Sequence, residues 1–152
     1  MTEFDREKFL NDAGALKAFN GEVVEEFRSA GGKVGGEFET ADIVLLTTTG
    51  AKSGQQRLSP LAYFTIDDRM LIVGSYGGAP KDPAWVHNLR ANTVAHVEVG
   101  NESYDVVARE LPRAERDGLF DALVELAPVF GEYQANTSRV LPVFELQREQ
   151  AA

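Results

Sequence analysis

Six strand-like runs joined by short links constrain this chain more than any other feature of its sequence: Asp42–Thr49, Arg57–Ile66, Arg69–Ser75, Thr93–Val99, Ser103–Glu110 and Val140–Gln147. Parallel strands need a crossover of a dozen residues or more, whereas antiparallel ones need only a tight turn. Asp67-Asp68 links the second run to the third, and Gly100-Asn101-Glu102 links the fourth to the fifth, so hairpins are expected. In the fourth run Ala95, Val97 and Val99 alternate with His96 and Glu98, which predicts one buried and one exposed face. Met70-Leu71-Ile72-Val73 is apolar throughout and predicts a central strand. Strands at this spacing predict a small, mainly β, antiparallel barrel rather than an open parallel sheet.

Helical segments flank and interrupt these runs. Over residues 4–28, Phe9, Ala13, Leu16, Asn20, Val23 and Phe27 recur at helical steps, with Gly14 and Asn20-Gly21 as points where the helix would divide. Its mixed, acidic polar face argues against a peripheral membrane helix. Ala30–Gly36 is a glycine-dense connector, so the chain divides into an N-terminal segment, 1–35, and a domain, 36–148. Those glycines do not match the dinucleotide fingerprint, which needs a strand before and a helix after. Asp82-Pro83 predicts an N-cap and first helical residue opening a helix through Trp85, Leu89 and Ala91. A second inserted helix is expected from Arg113 to Ala127, ended by Pro128.

A chain of 152 residues with a net charge of −9 is an unfavourable partner for nucleic acid or an anionic membrane. No apolar run is long enough to span a bilayer and no secretory leader is visible, so a cytoplasmic protein is expected. With no cysteine, disulfides, thiol nucleophiles and metal–sulfur sites are excluded, and any redox chemistry must be carried by a bound cofactor.

Against that acidic background, residues 43–64 hold Lys52 and Arg57 and no Asp or Glu. Thr47–Arg57 packs two cations, four hydroxyls and two glycines into eleven residues between two strands. Such a loop can wrap a phosphate, because glycines let backbone N–H groups approach and the cations add charge; two solvated surface cations are the plainer reading. It is not a P-loop, since a strand rather than a helix follows. Ser75-Tyr76-Gly77-Gly78-Ala79-Pro80 sits where a strand ends and a helix begins, a place where backbone can meet a flat ligand or simply turn. Trp85 is either a wall for an aromatic ligand or a core residue. Phe130 and Tyr133 either line an apolar pocket or pack in the core. His87 and His96 have no metal-ligand spacing around them, and no G-x-S-x-G elbow is present, so neither a zinc site nor a serine hydrolase is expected.

Three ordered motifs, Leu45–Arg57, Ser75–Pro80 and Pro83–Asn92, resemble the deazaflavin-dependent nitroreductase family of actinobacteria, over about residues 36–147. The resemblance implies a six- to seven-stranded antiparallel split β-barrel of the FMN-binding-like class, with an N-terminal helix and two inserted helices. It implies coenzyme F420 as cofactor and hydride transfer to an electron-poor small molecule, namely a quinone, an activated alkene or a nitroaromatic. Ala51, Lys52, Ser53 and Arg57 would hold the cofactor's phosphate and acidic tail. Leu58, Ser59, Pro60, Leu61 and Ala62, then Val73, Gly74, Ser75 and Tyr76, then Ala84, Trp85, Val86, His87 and Asn88 would run along it. Ala62, Phe130 and Tyr133 would face substrate, and Tyr133 or Tyr76 is the candidate proton donor. Ala51 stands where the family commonly has Arg, Gln56 where it often has Pro, and Ala62 where it often has an aromatic. The alternatives are an FMN-dependent enzyme of the same barrel class and a non-catalytic deazaflavin carrier. A homodimer is expected, since paired barrels are common among such folds.

Overall fold

The computed structural model describes residues 13–29, 42–75 and 80–148, with residues 13–20 described for backbone alone. The expected helix start at residue 4, the glycine-dense connector and Tyr76 lie outside the described residues. In chain order the elements are α1 (Ala13–Ser29), β1 (Ile43–Thr49), β2 (Gln56–Ala62), β3 (Phe64–Ile66), β4 (Arg69–Val73) and α2 (Ala84–Ala91). They continue with β5 (Val94–Val99), β6 (Glu102–Glu110), α3 (Arg113–Leu126), α4 (Val129–Ala135) and β7 (Val143–Arg148). The seven strands form one antiparallel sheet in the order β2-β1-β5-β6-β7-β4-β3. This is the split barrel expected, mainly β with helices on both faces.

Closure of the barrel explains where the expected second strand departs from its single run. Arg57–Ile66 divides at Tyr63 into β2 and β3, which occupy opposite edges of the sheet while following one another in the chain. The sheet therefore curls until its edges meet at one bent residue, where the Tyr63 N–H donates to the Asp42 carbonyl at 2.9 Å. The Tyr63 ring turns inward onto the core, and burial, then Asp42 and Tyr104, raises its hydroxyl pKa.

Alternate residues feed two cores. Val44, Leu46, Ile72, Val97, Val106 and Phe144 point inside the curl, where Trp85, Val86 and Leu89 of α2 plug it. Leu71, Val73 and Val143 point outward to Phe120 and Leu123 of α3 and Phe130 of α4. This corrects the position expected for β4. It lies second from an edge, between β7 and β3, and its continuous apolar run reflects two covered faces rather than centrality.

Three further expectations are corrected. The α1 helix runs unbroken through Gly14 and Asn20-Gly21, burying Val23 and Phe27 and reaching β5 through Arg28–Glu98. The α2 helix starts one residue later than expected, with Pro83 as N-cap and no side-chain cap bond, because the Asp82 carboxylate faces Arg139 and Arg90 instead. Three helices rather than two are inserted between strands, since Val129–Ala135 forms α4 immediately after Pro128. Seven residues containing Gly131 carry too little helical periodicity to be legible in sequence.

Candidate functional site

The β1–β2 hairpin and α2 enclose a cleft of about 680 Å³. The hairpin loop is held from within. Gly50 N–H donates to the Gln55 carbonyl at 2.8 Å, and the Gln55 N–H donates to Ser53 Oγ at 3.1 Å. A Cβ on Gly50 would lie 2.6 Å from that hydroxyl and 3.2 Å from the Gln55 carbonyl oxygen, so a side chain there would push the Ser53 hydroxyl from its bond. Lys52, Ser53 and Arg57 are exposed on the cleft wall, and Ala51 lines it with its side chain exposed.

The register shows why Arg57 faces α2. Arg57 pairs with Thr48 across the β1–β2 ladder, and the Thr48 hydroxyl accepts from Asn88 Nδ2 of α2 at 3.1 Å. Thr48 and Arg57 therefore share the inner sheet face. Asn88 is buried and spends both ends of its amide, because Oδ1 also accepts from the Ala51 N–H at 2.9 Å. It ties the loop to the helix.

The opposite wall comes from the first turns of α2. Ala84 and His87 are exposed to the cleft, whereas Trp85 lines it while only 6% exposed. The indole is buried and stacks edge-on against Phe144, with ring centroids 5.7 Å apart, so it is both core residue and cleft wall.

The electrostatics separate this site from the rest of the molecule. The other described arginines all meet a partner: Arg28, Arg69, Arg90, Arg109, Arg113, Arg116 and Arg139 face carboxylates, and Arg148 lies over the Tyr104 ring. Arg57 and Lys52 meet no carboxylate, carbonyl oxygen or ring among the described residues. Two unmatched cations over a cleft in an acidic chain suit an anion, and the arrangement fits a ligand with a phosphate at one end and a flat ring at the other.

Ten of the residues expected along the cofactor converge here: Ala51, Lys52, Ser53, Arg57, Leu58 and Ser59 from the hairpin, with Ala84, Trp85, His87 and Asn88 from α2. Gly50 and Gln56 line the cleft too, and the donor-rich loop around them was their signal. Pro60, Leu61 and Ala62 continue β2 away from the lining residues, and Val86 is fully buried in the inner core. Val73 packs in the outer core, and Gly74 and Ser75 lead away from its strand. Phe130 and Tyr133 lie together in the outer core, with Phe130 edge-on to Phe64 at 5.4 Å, and neither lines the cleft.

The family model described as F420H(2)-dependent quinone reductase matches residues 20–148. The chain belongs to that family. The F420H(2)-dependent quinone reductase Rv1261c of Mycobacterium tuberculosis is 37% identical over 126 residues, covering 80% of this chain and 85% of the relative. A solved F420-H2 dependent reductase, FDR-A, is 42% identical with a TM-score of 0.62, covering 70% of this chain and 94% of its own. Another solved structure, described as a domain-swapped dimer, is 35% identical with a TM-score of 0.64, covering 89% and 98%. The family match takes in the two motifs that form the cleft, Leu45–Arg57 and Pro83–Asn92, and nearly the whole described chain.

Proposed function

We propose that this chain is an F420-dependent reductase that uses the cleft between the β1–β2 hairpin and α2 to bring the reduced cofactor to a quinone. The observation that carries this reading is the unmatched pair Lys52 and Arg57 on a cleft that Trp85 also lines. The family description and the names of the relatives favour a quinone over an activated alkene or a nitroaromatic. Nothing comparable favours FMN or a carrier without turnover.

When bound, the reduced deazaflavin supplies a hydride equivalent. The chain's own residues do the rest. Lys52 and Arg57 hold anionic groups by charge-assisted hydrogen bonds worth roughly 1.5–3 kcal/mol each. The exposed Ser53 hydroxyl adds a donor beside them. Trp85 and the α2 backbone exclude water from one side of the cleft and restrict how a ring can lie, which favours transfer over loss to solvent. A quinone that takes up a hydride must also take up a proton. Tyr76 and Tyr133 are the proposed donors; Tyr133 lies off the cleft lining, so its role requires the quinone to extend past the cleft, and unchanged turnover after Tyr→Phe at either position rejects that tyrosine.

The decisive experiment is titration of the purified chain with F420 and, separately, with FMN, followed by anaerobic mixing of bound F420H2 with a soluble quinone. Tight binding of F420 alone and its reoxidation by the quinone are expected. Tighter binding of FMN, or F420H2 that no quinone reoxidises, overturns the reading. A homodimer is proposed as well, supported by the dimeric solved relative, and light scattering at monomer mass rejects it.

A further inference from the structure

Arg139, in the link between α4 and β7, reaches across the molecule to both ends of the segment that joins β4 to α2. One guanidinium nitrogen donates to the Gly74 carbonyl at 3.0 Å and to Asp82 Oδ1 at 2.8 Å. The other donates to the Ser75 carbonyl at 2.8 Å. The guanidinium therefore grips the chain just after β4 and again two residues before α2 begins. Asp82 is held from its other oxygen by Arg90 of α2 at 3.1 Å, and Arg90 in turn makes a two-pronged bond to Glu110 of β6.

A separate observation brings the same elements together. Gly74 N–H donates to the Pro142 carbonyl at 2.8 Å, and a Cβ on Gly74 would lie 2.8 Å from both Pro142 Cγ and Val86 Cγ2. The end of β4, the Arg139–Pro142 link and α2 thus meet without room for one extra methyl group. The only plane that fits between three acceptors here is a forked, rigid one, which a lysine cannot reproduce.

We propose that Arg139 is a positioning residue for the reductase reaction: it sets α2, and with it the Trp85 and His87 wall of the cleft, against the end of β4. This rests on the cofactor occupying that cleft. The Arg139 side chain is 15% exposed, lines no part of the cleft, and acts on it through the α2 start.

The chain has one tryptophan, Trp85, two residues after the α2 N-cap, so its fluorescence reports the placement directly. Arg139→Lys keeps a cation opposite Asp82 but loses the three-point grip. The expected result is a shifted Trp85 emission and F420 binding about tenfold weaker, with the salt dependence of binding unchanged. In the double variant Lys52→Ala, Arg57→Ala, binding should weaken, its salt dependence should flatten, and Trp85 emission should stay at the wild-type value. Wild-type emission and affinity in Arg139→Lys overturn the positioning role while leaving the cleft reading intact. Wild-type affinity in the double variant overturns the cleft reading, and the positioning role with it. If Arg139→Lys does not fold, Asp82→Ala decides, since it removes the carboxylate that Arg139 and Arg90 hold and spares the two carbonyl bonds. A shifted emission and weaker binding support the role, and wild-type values of both overturn it.

Discussion

Two groups of cationic side chains on this molecule are of similar chemistry and opposite circumstance. On the outer face, Arg69 of β4 and Arg109 of β6 share Glu115 of α3 and Glu145 of β7, with contacts from 2.6 to 3.1 Å. On the cleft, Lys52 and Arg57 face no carboxylate among the described residues. The first group has spent its hydrogen-bonding capacity on joining α3 to three strands. The second contributes little to folding and holds its capacity in reserve. In a chain carrying −9, two unmatched cations on one cleft, where every other described arginine is paired, make the arrangement of a site; Lys81, exposed and likewise unpaired among the described residues, lines no part of that cleft.

The largest effect that would break this comparison is loss of the reserve itself. Lys52→Ala with Arg57→Ala should weaken F420 binding by about 100-fold or more, taking roughly 1.5–3 kcal/mol for each lost charge-assisted bond. The thermal midpoint should hardly move. In the wild type, raising salt should weaken binding, because exposed charges are screened within about 10 Å at 0.1 M ionic strength. Fluorescence titration and a thermal melt of the same samples check both halves, and a lowered midpoint with intact affinity would reverse the assignment of the two groups.

The converse substitution is Glu145→Ala. The Glu145 side chain is only 11% exposed and accepts from both Arg69 and Arg109, so its removal leaves both cations on the more exposed Glu115 alone. A loss on the order of 2 kcal/mol is expected, lowering the thermal midpoint by about 4–8 °C, with F420 affinity unchanged. A melt and a titration test it, and a loss of affinity as large as that of the cleft variant would show that the outer network is not merely structural.

The same contrast explains how much of the molecule could be read from its sequence. The strands were legible because β5 alternates Ala95 and Val97 with His96 and Glu98, and the loop was legible because its cations stand in a stretch without acids. What stayed hidden depends on partners far away in the chain. The bend at Tyr63 comes from closure of the sheet, and nothing in Arg57–Ile66 marks it. Asp82 looks like a helix cap locally, but Arg139, 57 residues away, takes its carboxylate. Phe130 and Tyr133 are three apart and could equally line a pocket or a core until α4 sets Phe130 against Phe64 and Tyr133 beside Phe130. Within the site, Asn88 was expected along the cofactor; it lines the cleft, and what the sequence did not show is that its amide also ties Ala51 to Thr48.

Asn88 is the point where the two circumstances meet, since a residue bonded at both ends of its amide holds the unmatched loop. Asn88→Ala strands the Ala51 N–H and removes the anchor at Thr48. We expect a loss of about 1–2 kcal/mol in stability and roughly tenfold in F420 affinity, smaller in each measure than the variants above. Thr48→Val, which removes one of the two anchors, should reproduce part of the effect. A stability loss with unaltered affinity would separate the loop's placement from its ability to bind.

The smallest effect concerns pH and touches only the paired group. Hydrogen bonds from Arg109, then from Arg69, hold the Glu115 carboxyl down at about 2, from an ordinary value of 4.5. Glu145 is lowered as well: burial alone would raise it, but the bonds from Arg69 and Arg109 outweigh that. A carboxylate depressed in the folded state stabilises the fold fully above its unfolded pKa and loses that contribution as pH falls through the folded one. The wild type should therefore lose stability between about pH 4.5 and pH 2, a window set by Glu115. Glu115→Gln should be less stable than wild type at neutral pH, and the gap should close as pH approaches 2. Because Glu115 is 35% exposed, added salt should shrink the gap at every pH. The Lys52→Ala, Arg57→Ala variant should track the wild type throughout, since cations without carboxylate partners lend the fold nothing that acid can remove. Thermal melts across that range, run on all three chains, decide it: a Lys52/Arg57 variant that also converged with wild type only in acid would mean that the two loop cations are paired after all.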